Sequence, residues 1–523
     1  MAIQFIRRRL GARQVGGPDY EPAVKLRVPA ELLDRHEGRV LDPRRAEAAG
    51  GARPRTTAYR PRVLLVPDDV LCDPAAIGAV RAVLNAAGYD LEVPRSGGGA
   101  SARPVALRAL TGRDHDVDSW AALQRLRAAA DDVLDWDLVR RISLEHLVFS
   151  AVTINGTPWD TNSDQVTGSY RRSPSGSSRV PVAIAVEPPR RDELGDRFTR
   201  RPVVAVLDSG IGPHPWFDIA DRSAPPPADG FISVLDEAQR AIRDNAVAAP
   251  SLLDYWDSPV VSESLIRDVD SNTGHGTFIA GIIRQAAPNA DVLAIRVMHS
   301  DGVAYGSDVI AALEEISRRV DRARREDRPG DMVDVVSLSL GYLDESPADS
   351  RYTTHLAEVV RRLTEQGVLV LAASGNNSTG RRFYPAAFAD LPDLPGAGPG
   401  VISVGALNPN DTKASFSNDG AWVTCWATGA GVVSTFPTDV SGPRQPELAD
   451  EHRSGLDPDD FRSGFAVWDG TSFATPLAAA AVANALIDVA AADTGLSLAA
   501  VDQETVVKRA WAALERCYEQ YEV

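Results

Sequence analysis

From residue 201 onward, short and wholly apolar runs alternate with amphipathic stretches, and this alternation limits the fold more than any other feature of the sequence. Residues 203–207, 292–297, 333–340, 368–372 and 401–404 read as strands buried on both faces, while 307–320 and 355–366 carry the single apolar stripe of a helix. Strands joined through helices run parallel and are covered on both sides. The expectation is an α/β domain over 201–523, a mostly parallel sheet with helices on both faces.

The preceding region has a different rhythm. A strand at 62–66 leads to a helix opened by Asp73 and Pro74, striped by Ile77, Val80, Val83 and Leu84 and stopped at Gly88. Strands at 89–93 and 104–110, a helix at 120–133 and a strand at 144–152 follow. The order β-α-β-β-α-β over 59–154 predicts a small α+β domain of the ferredoxin-like type. Residues 1–58 mix Gly, Pro, Arg and Ala with little periodicity and read as a poorly ordered arm. Residues 155–200 turn polar, with Pro188-Pro189, Arg190-Arg191 and Arg200-Arg201, and read as a linker holding one strand at 182–186.

A chain of 523 residues with 55 Lys+Arg against 72 Asp+Glu carries a formal charge of −17. That balance excludes a basic nucleic-acid face and a polybasic membrane anchor as expectations. Cys72, Cys425 and Cys517 are few and far apart, matching neither a disulfide framework nor a metal spacing. Arg7-Arg8-Arg9 is followed by no apolar run, so no secretory signal is expected. The cytoplasm is the expected compartment, with non-standard export left open. The most apolar stretch, 477–487, is too short to span a bilayer.

Three segments carry chemistry. Val203-Val204-Ala205-Val206-Leu207-Asp208-Ser209-Gly210 sets an acid at the carboxyl end of a buried strand. Gly274-His275-Gly276-Thr277 sets a histidine at the start of an apolar helix, and Gly470-Thr471-Ser472-Phe473-Ala474-Thr475-Pro476 sets a serine at a tight turn entering another. A serine hydroxyl is a weak nucleophile until a base removes its proton. An imidazole serves when a buried carboxylate fixes its tautomer and stabilises the imidazolium. A helix N-terminus beside the serine adds N–H groups and a favourable dipole for a developing oxyanion. Alone, the Asp-Ser-Gly triplet reads as a turn and His-Gly-Thr as structural, while Gly-Thr-Ser-Phe-Ala-Thr-Pro is long enough to be more specific; together, in the order Asp…His…Ser, they point to nucleophilic acyl transfer.

With these motifs the chain, from about residue 200 on, resembles the subtilisin-like serine proteases, the subtilases of peptidase family S8. The resemblance implies that Asp208, His275 and Ser472 are the triad, and that Leu371-Ala372-Ala373-Ser374-Gly375-Asn376 carries the oxyanion asparagine, Asn376. It implies that Ser339-Leu340-Gly341 and Ala304-Tyr305-Gly306 are the two edges between which substrate backbone lies extended. Phe383 stands near the implied S1 pocket and would favour small or medium side chains there. The implied activity is a serine endopeptidase working through an acyl-enzyme. The alternative is an interaction protein, non-catalytic or only self-processing, that keeps the protease fold as a recognition module.

The implied partners are a polypeptide substrate and the chain's own N-terminal domain, since subtilases often carry a βαββαβ propeptide that acts as folding template and intramolecular inhibitor. Residues 148–157 would then enter the cleft; the competing reading is a permanently attached accessory domain. No cofactor is expected. His214-Pro215 is followed by Trp216 where many subtilases place a calcium-binding acid, and no calcium loop follows the histidine helix. Residues 268–274 match the start of an EF-hand loop, but Ile279 stands where the closing Glu belongs, so calcium there is only an option. Segments 224–265 and 437–465 read as insertions forming loops near the substrate side.

Overall fold

The computed structural model describes residues 1–7, 26, 28–48, 53–93, 101–110, 116–130, 132–151, 179–195, 199–245, 247, 252–258, 261–263, 268–345, 355–391, 398–440 and 461–521. Val203–Asp208 lies within the large sheet because its side chains from Val204 on are buried on both faces: Val204 and Val206 face one core, Ala205 and Leu207 the other. Among the described residues that sheet has eight strands, in the order Ile3–Phe5, Cys425–Thr428, Ile402–Leu407, Leu369–Ala373, Val335–Leu338, Val203–Asp208, Asp291–Arg296 and Ile232–Val234. All neighbours are parallel except the first pair. Helices His275–Ala286, Thr471–Ala492 and Gln503–Tyr521 pack into the core on one face; Asp236–Asp244, Gly306–Arg325 and His355–Glu365 pack on the other. Thr471–Ala492 is long and apolar enough to cross a bilayer, but it is largely buried inside the fold.

Chain order along the sheet reverses between Val203–Asp208 and Val335–Leu338. The crevice beyond the carboxyl ends of parallel strands at such a reversal is where ligands bind. Asp208 ends one of these strands and Ser339 follows the other. The strand expected at 333–340 is therefore two: Val335–Leu338 stays in the sheet, and Leu340–Gly341 leaves it to pair with Ser143–Ser150.

The N-terminal region builds a second sheet from Ala58–Pro67, Tyr89–Glu92, Ala102–Ala109 and Ser143–Ser150. Numbered along the chain, these strands lie fourth, first, third, second, each antiparallel to its neighbours. Pro74–Ala86 and Ser119–Ala128 contribute Val80, Leu84 and Leu123 to the core beneath it. Asp73 and Asp118 cap these helices, accepting from the N–H groups of Ala75 and Trp120.

Three expectations change. The reading of 1–58 as a poorly ordered arm fails for its described part, where Ile3–Phe5 is an edge strand, Ala30–Arg35 a helix, and Arg39–Val40 pairs with Tyr59 and Ala58. Three residues leave no periodicity to detect; the anchor is Phe5, whose buried ring packs against Tyr518 and Tyr521. Of the linker at 155–200, residues 155–178 and 196–198 lie outside the described residues; the strand expected at 182–186 sits at Val180–Pro181, paired with Val467 and Ala466. The segment 224–265 supplies the sheet strand Ile232–Val234 and the helix Asp236–Asp244 rather than only a substrate-side loop. In the 437–465 segment, residues 441–460 lie outside the described residues, as do 152–157 of the expected cleft tail.

Candidate active site

Asp208 is buried, and its Oδ1 accepts from the Ser209 N–H at 2.8 Å and from His275 Nδ1 at 2.7 Å. Donation from Nδ1 leaves Nε2 as the basic nitrogen, and Nε2 is buried without a hydrogen-bond partner. The approach of these two turns depends on missing side chains. A Cβ at Gly276 would lie 2.2 Å from the Gly210 carbonyl oxygen, and Gly274, at φ +82°, would drive one into the Phe436 ring at 2.3 Å.

Ser472 is the second residue of Thr471–Ala492, beside Phe473, whose ring centre is 5.2 Å from the His275 imidazole. Its Oγ donates to the Ser339 carbonyl at 3.2 Å rather than to Nε2, and the Ser339 hydroxyl returns a bond to the Ser472 carbonyl at 2.8 Å. Asn376 adjoins the same helix start. Its Oδ1 accepts from the Thr471 backbone N–H at 3.0 Å and the Thr471 hydroxyl at 2.9 Å. A backbone N–H can only donate, so that end of the amide is the oxygen. Nδ2 therefore faces away from Thr471, buried and unpartnered.

Both expected edge segments meet a single strand. Val303, Ala304 and Tyr305 pair with Phe149, Val148 and Leu147, and Leu340 and Gly341 pair with Ser150 and Phe149, all antiparallel. The run continues past the strand end, where the Ala151 N–H donates to the Ser339 carbonyl at 3.1 Å. Gly306 is the exception: it opens the helix Gly306–Arg325 instead of extending the edge. The Phe383 ring is wholly buried between two backbone walls, so that a Cβ at Gly341 would meet it at 2.4 Å and one at Gly375 at 3.1 Å.

Two residues that sequence reasoning did not single out support this site. Asp257 is fully buried; its Oδ2 accepts from the Ser209 hydroxyl at 3.0 Å and the Gly274 N–H at 2.5 Å. It thereby clips the turn after Asp208 to the turn before His275. Burial pushes its carboxyl up to about 6, with Arg296 and Arg222 limiting the rise. Trp468 meets the His275 ring edge-on, 5.4 Å between centres. Its position just before the Gly470–Pro476 motif was the one available signal; for Asp257 there was none.

Asp270, within the stretch that resembles an EF-hand start, accepts from Arg35 at 3.1 Å and the Ser300 hydroxyl at 2.8 Å. Among the described residues no cluster of three or more His, Cys, Asp or Glu is arranged to hold a metal ion. His214, beside Trp216, takes the Trp216 N–H on Nδ1 at 3.1 Å and meets the Gly464 carbonyl through Nε2 at 2.9 Å; burial lowers it to about 4.

Residues 199–508 match the family profile described as "Subtilase family". The chain belongs to the subtilase family. This subtilase is similar to Subtilisin Savinase of Lederbergia lenta, with 28% identity over 289 residues that cover 54% of the chain and 74% of that protein. It is 29% identical over 289 residues to an Alkaline protease of Alkalihalobacillus alcalophilus, covering 54% of the chain and 52% of the relative. A Thermophilic serine proteinase of Bacillus sp. (strain AK1) is 32% identical over 196 residues, 35% of this subtilase and 41% of that protein. The matched part thus spans about half the length of the alkaline protease.

Proposed function

We propose that the protein is a serine endopeptidase in which Ser472 is the nucleophile, His275 its base, Asp208 the carboxylate that orients the base, and Asn376 an oxyanion donor. The observation that carries this reading is the buried imidazole with Nδ1 on Asp208 at 2.7 Å and Nε2 open. In the reaction, the Ser472 hydroxyl turns from the Ser339 carbonyl to Nε2, gives up its proton there and attacks the substrate carbonyl. Asp208 stabilises the imidazolium. The tetrahedral oxygen meets Asn376 Nδ2 and the N–H groups at the start of the Ser472 helix; a donor of this kind lowers the barrier by about 3–4 kcal/mol. The imidazolium protonates the departing amine, and water then releases the acyl group from Ser472.

The N-terminal unit is, in the same proposal, a ferredoxin-like domain that holds the enzyme latent. Its strand Ser143–Ser150 fills the cleft between both edges as a substrate backbone would. Ala151 then takes the position whose carbonyl is attacked, and the peptide bond after Ala151 is the one cut. Phe383, filling the space between Gly341 and Gly375, suits a side chain as small as that of alanine. Intact-mass analysis of the wild type beside Ser472→Ala tests both parts. Cleavage after Ala151 and digestion of an unfolded protein by the wild type alone are expected; a wild type that neither digests nor takes up a serine-directed phosphonate refutes the reading.

A further inference from the structure

Arg179 lies twenty residues ahead of the matched region, in what the sequence presents as linker, and yet only 3% of it is exposed. Its guanidinium carbon stands 5.3 Å from each of three ring centres, Phe436, Phe461 and Trp468. Cations over aromatic faces are held by the ring quadrupole, more strongly once desolvated. One amino group donates to the Thr273 carbonyl at 2.7 Å, with the Asp270 and Ser271 carbonyls at 3.5 Å. These carbonyls belong to the turn that ends at Gly274 and delivers His275.

The cage and the turn converge on one side chain. Trp468 touches Arg179 through its face and His275 edge-on, at 87° between ring planes. Phe436, a second wall of the cage, is the ring that a Cβ on Gly274 would strike. Immediately downstream, Val180–Pro181 is fixed as a strand against Val467 and Ala466, and the Val182 N–H donates to the Phe465 carbonyl at 3.0 Å. The anchoring is therefore backbone as well as side chain.

The geometry points to Arg179 as a positioning residue for His275, so that the working site includes chain that precedes the family region. A guanidinium suits this place because it can face several rings and still donate in plane to carbonyls; an ammonium offers only a compact charge. Misplacing a catalytic group by about 1 Å costs on the order of 100-fold. A cut between Ala151 and Arg179 would then leave this anchor on the protease chain, whereas processing that removes Arg179 would lower its activity.

This inference rests on the protease reading, and its test separates the two. Arg179→Ala and Arg179→Lys are compared with wild type in the full chain, once self-cleavage is complete. The alanine variant is expected to lose about 10- to 100-fold in kcat with KM within about two-fold, and lysine to recover part of the loss. Hydrogen exchange over residues 270–275 is read in the Ser472→Ala background, without hydrolysis. Exchange at least about ten-fold faster in Arg179→Ala is expected. Unchanged exchange, or an alanine variant with wild-type kcat, overturns the inference while leaving the protease reading intact. Faster exchange in a protein whose wild type never hydrolyses overturns the protease reading alone. Should Arg179→Ala not fold, Arg179→Lys carries the test: a lowered kcat with faster exchange over residues 270–275 supports the inference, and wild-type exchange and kcat overturn it.

Discussion

Ala151 donates its backbone N–H to the carbonyl oxygen of Ser339 at 3.1 Å, the same oxygen that receives the Ser472 hydroxyl at 3.2 Å. Two groups on one acceptor put the end of the N-terminal unit beside Ser472, the proposed nucleophile. The proposed cut after Ala151 should depend on the size of that residue, because Phe383 closes the space between Gly341 and Gly375. Ala151→Trp is expected to slow self-cleavage by at least about ten-fold, followed as the decay of the full-length mass. Cleavage at an unchanged rate would mean that the pocket lies elsewhere.

Asn376→Asp separates the two ends of the amide. The carboxylate can still accept from the Thr471 N–H and hydroxyl, but the donor at Nδ2 is gone. Steady-state kinetics should show kcat lower by about 100- to 1,000-fold with little change in KM. A loss confined to KM would assign Asn376 to substrate binding.

Asp257 makes stability depend on pH. Its carboxyl is raised from 3.8 to about 6 by burial, so the folded state holds the proton more tightly than the unfolded chain. That contribution is complete below the unfolded value and disappears as pH rises through about 6. Asp257→Asn cannot ionise, and should gain on wild type by roughly 2–3 kcal/mol from about pH 4 to about pH 7. Asp257→Ala leaves the Gly274 N–H and the Ser209 hydroxyl without their acceptor and should lose about 1–3 kcal/mol. Denaturant unfolding at both pH values, in the Ser472→Ala background, checks this; a wild-type-to-Asn difference independent of pH would contradict it.

A second pH effect concerns docking of the N-terminal unit. His146 and Glu345 meet across that boundary at 2.7 Å, both buried. Burial alone would lower His146, but Glu345, with Asp344 and Glu145, outweighs it and raises the imidazole above 6.5. Burial alone would raise Glu345, but His146 outweighs it and holds the carboxyl at about 2. The imidazole's contribution is full below its undocked value and is lost as pH rises through the docked one; the carboxylate's is full above 4.5 and lost as pH falls towards about 2. Docking should therefore be tightest between these limits and weaken on the alkaline side. The lag before activity should shorten from about pH 6 to about pH 9 in the wild type and respond far less in His146→Ala.

The large sheet was legible because strands buried on both faces leave uninterrupted apolar runs, and 203–207 and 368–372 lie within or beside the observed strands. Asp208, His275 and Ser472 were legible because each sits in a contiguous, glycine-marked motif. Ile3–Phe5 was not, since three residues hold no period and their partner lies more than four hundred positions away. Asp257 looked like one acid among many in an acidic segment; what sets it apart is a pair of donors from two distant turns. Arg179 resembled any linker cation, because a cage of rings from Phe436, Phe461 and Trp468 exists only after folding. Local rules report a residue's neighbours in sequence, and these three act through neighbours in space.

The rim strand Ile3–Phe5 gives scission an unusual sequel. Ala2 exchanges bonds with Thr428 at 2.8 and 3.0 Å, and Phe5 is wedged under the last helix. A break at the cleft would leave the severed piece stitched to its former host at this remote seam. Nicking and departure thus become separate events, and the species first formed is a two-chain particle with its own plug still seated. How soon it would begin turnover then depends on the peeling of a short ribbon on the far border as well as on release at the cleft, steps that chemistry at Ser472 does not touch.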